Sequence, residues 1–130
     1  MEWRSWVRDR LLGHAPFVAL VPAESVHGAG SLNGRPDNIP FVVLRLGPLT
    51  REPGGFAQWR ELTVWAHDEP GGYLRIDEVL AEARVALETP VNEPGAVLVE
   101  WQGGSPDLAD DGYNTITKND SYRLVEGAPA

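Results

Sequence analysis

The chain has 130 residues, 42% apolar and 23% charged, proportions that fit one soluble globular domain. Eleven basic residues against 19 acidic ones leave a net charge of −8, which disfavours a phosphate-neutralising grip on nucleic acid because each such contact needs a local Lys or Arg. With zero cysteines, a disulfide framework, a thiolate metal site and a cysteine nucleophile are all excluded.

The opening "MEWRSWVRDRLL" mixes charge with Trp and Leu, so it lacks the continuous apolar segment of a secretion signal. Trp3, Trp6, Val7 and Leu11 recur with helical spacing, opposite Arg4, Arg8 and Asp9, and predict an amphipathic helix over about 2–12. Gly13 and Pro16 punctuate its end. "FVALV" (Phe17 to Val21) is too short for periodicity to decide, and a short helical turn is the expectation.

Residues 22–40, "PAESVHGAGSLNGRPDNIP", have no period and read as a long surface loop. "FVVLRLG" (Phe41 to Gly47) has the β-branched density of a strand, followed by a turn at Pro53-Gly54-Gly55. "AQWRELTVWA" predicts a second strand, with Trp59, Glu61, Thr63 and Trp65 on one face and Arg60, Leu62, Val64 and Ala66 on the other. Two tryptophans on the first face predict that both faces meet protein.

Ile76, Val79, Leu80, Ala83 and Leu87 then mark one side of a helix over 73–88, ended by Thr89-Pro90. "GAVLVEWQGG" (Gly95 to Gly104) reads as a third strand and "SYRLVEG" (Ser121 to Gly127) as the last. Between them, 105–120 reads as a polar loop with a short extended piece at Asn114 to Thr117. The order predicts one α+β domain, a mostly antiparallel sheet flanked by two helices.

His67, Asp68 and Glu69 are the strongest candidates for chemistry, since all three can bind a metal or move a proton. Adjacent residues of an extended segment point to opposite faces, however, and His14, His27 and His67 lie too far apart for a helical metal pair. "HDEPGG" reads better as a strand-to-helix corner: Asp68 accepts backbone N–H groups, Pro70 fixes φ, and Gly71-Gly72 supply unusual dihedrals. Its carboxylates also lie upstream of a helix N-terminus, where negative charge is favoured.

No serine lies in a Gly-x-Ser-x-Gly elbow, "GAGSLNG" lacks the Lys-Ser/Thr of a phosphate loop, and "DLADDGYNTITKND" lacks the alternation and closing Glu of a calcium-binding hand. No enzyme, cofactor or metal is therefore expected. The five tryptophans, Trp3, Trp6, Trp59, Trp65 and Trp101, are mostly core candidates, with some of the surplus available to a neighbouring subunit.

"IPFVVLRLG", "VWAHDEPGGYLRIDEVL" and "DLADDGYNTITKNDSYRLV", in this order after a short N-terminal helix, resemble the tail terminator (tail completion) proteins of long-tailed bacteriophages, particularly those infecting actinobacteria. The resemblance runs from about Trp3 to Val125. It implies a virion protein that forms a hexameric ring on the head-proximal end of the tail tube. Such a ring stops tube growth and offers a docking surface to the head connector while DNA passes through its lumen. The implied partners are further copies of the chain, the tail tube protein and the connector, with no membrane and with assembly in the host cytoplasm. An acidic subunit suits a lumen that repels DNA.

On that reading Asn33, Arg35 and Asp37 in the long loop and Arg51 in the following turn are candidates for contact with a partner ring. Asp107, Asp110 and Asp111 are candidates for the lumen or a neighbour. The competing readings are a head-side stopper or adaptor ring, a monomeric binding module, and a small metal-dependent hydrolase using His67 and Asp68.

Overall fold

The computed structural model describes residues 2–51, 53–54, 57–89 and 97–127. Its helices are α1 (Trp3–Leu12), α2 (Ala15–Leu20) and α3 (Leu74–Glu88). Its strands are β1 (Val26–Gly28), β2 (Phe41–Leu46), β3 (Thr50–Arg51), β4 (Ala57–Asp68), β5 (Val97–Gly104), β6 (Leu108–Asp110) and β7 (Thr115–Gly127). They form one seven-stranded sheet in the order β1-β2-β4-β7-β5, with β3 added to β4 and β6 to β7. Every pairing is antiparallel except β1 with β2, so the expected α+β architecture is the observed one.

Strand alternation decides which side the helices take. Leu62, Val64 and Ala66 of β4 are fully buried on one face, in register with Tyr122, Asp120 and Lys118 of β7. Against Leu62, Val64, Ala66, Tyr122 and Leu124 pack Val7 and Leu11 of α1, Phe17 of α2, and Ile76, Val79, Ala83 and Leu87 of α3. Each Val, Leu, Ile or Phe among them contributes about 1.5–3 kcal/mol by leaving water, so this single layer of helices holds the fold. His14 Nε2 lies 2.6 Å from Glu82 Oε2 and ties the α1–α2 junction to α3.

Helix ends follow local chemistry. Glu2 accepts the Arg4 N–H at the start of α1, and Thr89 closes α3 by donating its N–H and its hydroxyl to the Val85 carbonyl. The end at Thr89 agrees with the sequence reading, and α2 realises the short helical turn expected at 17–21, making three α-helices among the described residues in place of two.

Two loops and one face differ from expectation. Residues 22–40 contain a 3₁₀ turn (Ala23–Ser25) and β1, because Val26 finds a buried place beside Val42 of β2. Residues 105–120 include β6 and the first half of β7, which pairs with β4 on one side and with β6 and β5 on the other. Both faces are expected to meet protein, yet among the described residues no helix covers the face carrying Trp59, Glu61, Thr63 and Trp65, whose tryptophans are half-buried. Of the five tryptophans only Trp3 is buried, and Trp101 is 40% exposed.

Candidate functional site

The His67-Asp68-Glu69 corner resolves into three separate environments. Asp68, on the helix side, accepts Arg75 Nε at 2.8 Å and Arg75 Nη2 at 2.5 Å, and also the Glu69 backbone N–H at 2.8 Å. Burial alone would raise its pKa, but the Arg75 hydrogen bonds and charge and the Glu69 amide outweigh it and hold the carboxyl below the ordinary aspartate value. Gly71 and Gly72, at φ +148° and +156°, make the backbone turn that brings Arg75 back to the strand end.

His67 points the other way. Its ring stacks on Phe41 with centroids 4.6 Å apart, meets Tyr113 edge-on at 5.6 Å, and places Nδ1 2.9 Å from Thr115 Oγ1. Burial lowers its pKa, partly offset by the negative charge of Asp110, so the ring is held toward its neutral form. Glu69 is exposed and receives Arg35 Nη2 at 3.0 Å. The three side chains therefore do not converge, as the alternation of an extended chain requires. Among the described residues no group of three or more His, Asp or Glu side chains is placed to hold a metal ion.

Beside His67, on the helix-free face, lies a cleft of about 240 Å³ between Leu32, Arg45, Trp65, Asp110 and Tyr113. Asp110 accepts the Tyr113 N–H at 3.0 Å and thereby shapes the β6–β7 turn. The cleft offers a neutral imidazole, one carboxylate, one guanidinium and the Tyr113 phenol, but His67 Nδ1 is bonded to Thr115 and Asp110 to the Tyr113 N–H rather than to each other, so they do not form a paired acid–base set.

The sequence-derived interface candidates fall in two groups. Asn33, Arg35 and Asp37 are exposed on the loop before β2, with Arg35 anchored to Glu69, and Arg51 is exposed on β3. Asp107 and Asp111 are exposed beside the β6–β7 hairpin, while Asp110 is half-buried there. Lys118 gathers part of the acidic group: its Nζ lies 2.7 Å from Asp77 and 3.5 Å from Asp107. The two groups lie near opposite edges of the sheet, Arg51 on the β2 side of β4 and Asp107 on the β5 side of β7.

Those edges were not singled out by sequence reasoning, and they differ. At β1 the outward carbonyls are occupied: Val26 O accepts Arg8 Nη1 at 2.8 Å, and Gly28 O accepts both the N–H and the hydroxyl of Ser31. At the opposite edge β5 has eight residues without Pro or Lys, and it displays Leu98 at 58% exposure and Trp101 at 40%. Among the described residues nothing pairs with its outer side. A bulge between Trp101 and Gly103 interrupts the second half of this edge, and the regular stretch from Val97 to Trp101, with Leu98 exposed, is a template for pairing with another chain.

No protein-family model matches the chain, and no curated protein does. A chain in a solved structure described as the virion of a native gene transfer agent particle has the same fold, with a TM-score of 0.66 over 94% of this chain and 92% of that one. The two sequences are 17% identical, so the likeness is one of fold.

Proposed function

We propose that the chain is a structural virion protein that assembles as a ring, a hexamer, on the head-proximal end of a bacteriophage tail tube. There it ends tube growth and offers the docking surface for the head connector, with DNA passing through its lumen. The observation that carries this reading is the fold shared, over nearly the whole of both chains, with a component of a gene transfer agent virion. The resemblance of "VWAHDEPGGYLRIDEVL" and "DLADDGYNTITKNDSYRLV" to tail terminators narrows it from virion protein to terminator. The net charge of −8 fits a lumen that DNA traverses without sticking.

The geometry supports a non-enzymatic role. His67 and Asp68 face opposite sides of the sheet, so the hydrolase reading lacks the convergent groups it needs. On the terminator reading Asn33, Arg35, Asp37 and Arg51 contact a partner ring, and Asp107, Asp110 and Asp111 face the lumen or a neighbouring subunit.

The test is electron microscopy of a lysate from a phage with a stop codon early in this gene. Overlong tails beside filled, tailless heads are expected. Normal-length tails left unattached, or heads that leak DNA, would move the protein to the head-side connector, and intact infectious particles would overturn the structural role.

A further inference from the structure

We propose that neighbouring copies join by seating the outer edge of β5 of one copy against the bend between β2 and β3 of the next, with Leu98 entering a cleft beside Trp59 and Glu100 meeting Arg45. This rests on the ring reading and names the contact by which the ring closes.

The cleft is a second hollow of the helix-free face, about 310 Å³, with Arg45, Pro48, Thr50, Trp59 and Glu61 among its walls. It lies at the edge because β1 covers only Val42 to Leu44 of β2, leaving the stretch from Arg45 to Thr50 without a strand on the side away from β4 among the described residues. Exposed apolar surface sits there too, since Leu49 is 46% exposed.

The register of the sheet shows what would fit. One cross-strand row runs Thr50, Trp59, Val125, Leu98, and the next row holds Glu61, Arg123, Glu100, with Gly47 bonded to the Glu61 carbonyl. Leu98 and Glu100 therefore project from the same face as the cleft, at the opposite end of its own two rows. If a second sheet continues the first in the same sense, its Leu98 arrives beside Thr50 and its Glu100 beside Gly47. The strand directions also agree: β5 runs antiparallel to β2 and β3, because β2 and β3 are antiparallel to β4, β4 to β7, and β7 to β5.

Charge favours the same pairing. Glu100 stands opposite Arg123 in register, but the Arg123 guanidinium lies 4.3 Å over the Trp59 ring, and among the described residues Glu100 forms no ion pair. Arg45 is exposed at the receiving cleft and is likewise without an ion pair there. Glu61 lines the cleft as well but stands opposite Arg123 in register, so Arg45 is the cation at the cleft that faces the incoming carboxylate. The two patches are different surfaces of one chain, which makes the contact heterologous, the kind a ring requires, with closure set by the rotation between neighbours.

The test compares the parent with Leu98→Lys, Arg45→Glu, Glu100→Arg and the swap Arg45→Glu/Glu100→Arg. Leu74→Lys serves as a control, because Leu74 is 75% exposed on α3, which packs on the face of the sheet opposite Leu98 and the cleft. Self-association is read by native mass spectrometry on the purified chain, and ring formation by electron microscopy after adding each protein to tails from a lysate that lacks it. Circular dichroism checks folding.

Leu98→Lys and each single charge reversal are expected to weaken association at least about tenfold, with the swap restoring it and Leu74→Lys leaving it unchanged. Rings formed equally by the parent, Leu98→Lys and both single reversals would overturn this interface and leave the ring reading intact. A folded parent that forms no ring in solution or on tails would overturn the ring reading and this inference with it.

Discussion

Asp68, the last residue of β4, and Arg75, in the first turn of α3, are joined by two hydrogen bonds that clamp strand end to helix start. The Asp68 side chain is 6% exposed and that of Arg75 48%, so the carboxylate depends on the arginine for its partners while the arginine can fall back on water. Arg75→Ala should therefore destabilise the fold by about 1.5–3 kcal/mol, whereas Glu69→Ala, at an exposed site, should stay within about 0.5 kcal/mol. Urea denaturation at neutral pH measures both. The sign of the pH dependence follows from the lowered folded pKa: the contribution is complete above the ordinary aspartate value of 3.8 and is lost as pH falls through the folded value. Arg75→Ala should flatten that acid limb.

His67 gives a second pH effect, at higher pH. Its pKa is lowered by burial, so the neutral ring is the stable form in the folded chain and protonation favours unfolding. Stability should be whole above the ordinary value of 6.5 and decline as pH falls through the lowered folded pKa. The urea midpoint of the parent should drop between about pH 7 and pH 5, and His67→Gln should lose part of that slope. His27, also lowered by burial and by Arg8, keeps the remainder. Equal slopes in parent and variant would mean that His67 protonates without disturbing its stack on Phe41.

Tyr122 is fully buried under the helices, and among the described residues its hydroxyl has no hydrogen-bond partner. Burial, with the nearby carboxylates of Asp120 and Glu88, drives its pKa far up, so the group stays a protonated phenol. Removing an unsatisfied buried hydroxyl while keeping the ring should help, and Tyr122→Phe is expected to stabilise the chain by about 1 kcal/mol. Tyr122→Ala should cost about 3–5 kcal/mol through the cavity it leaves. Thermal unfolding of the two variants separates the polar effect from the packing effect.

Asn114 ends the turn between β6 and β7 at φ +52°, the one described non-glycine residue with positive φ. Asn tolerates that conformation, and a β-branched residue does not. Asn114→Gly should be close to neutral, while Asn114→Val should cost about 1–2 kcal/mol and speed amide exchange in β6 first, since the turn leads directly into that strand's short ladder with β7. Equal exchange in the two variants would remove the turn as the source of β6 order.

Much of the scaffold was legible because its signals are local. Ile76, Val79, Leu80, Ala83 and Leu87 repeat at helical spacing, and each is buried in α3. The alternation of Leu62, Val64 and Ala66 against Trp59, Glu61 and Thr63 set the two faces of β4. The opposite orientations of His67 and Asp68 followed from the same alternation. What escaped was structure made by distant partners. The start of β7 is polar, and it is a strand because β4 supplies a ladder from Ala57 to Asp68, Thr117 donates to the Ala66 carbonyl and Lys118 reaches Asp77. β1 is three residues held by a parallel neighbour, with Arg8 capping its edge from α1. No window of sequence around Val26 or Lys118 contains those partners, so periodicity could not find them. The unequal guarding of the two sheet edges escaped for the same reason, since it depends on the strand order.

β7 lies between β4 and β5 and also carries β6, yet it follows all of them in chain order. During synthesis the ribosome delivers β1 to β6 and all three helices before the strand that joins β4 to β5 exists. A nascent chain interrupted before Thr115 lacks that strand and leaves both sides of the join open. Completion of the sheet is thus delayed until the whole segment through β7 has emerged. A fragment lacking β7 has no partner strand for β5, so the free edge at β5 exists only in the finished sheet.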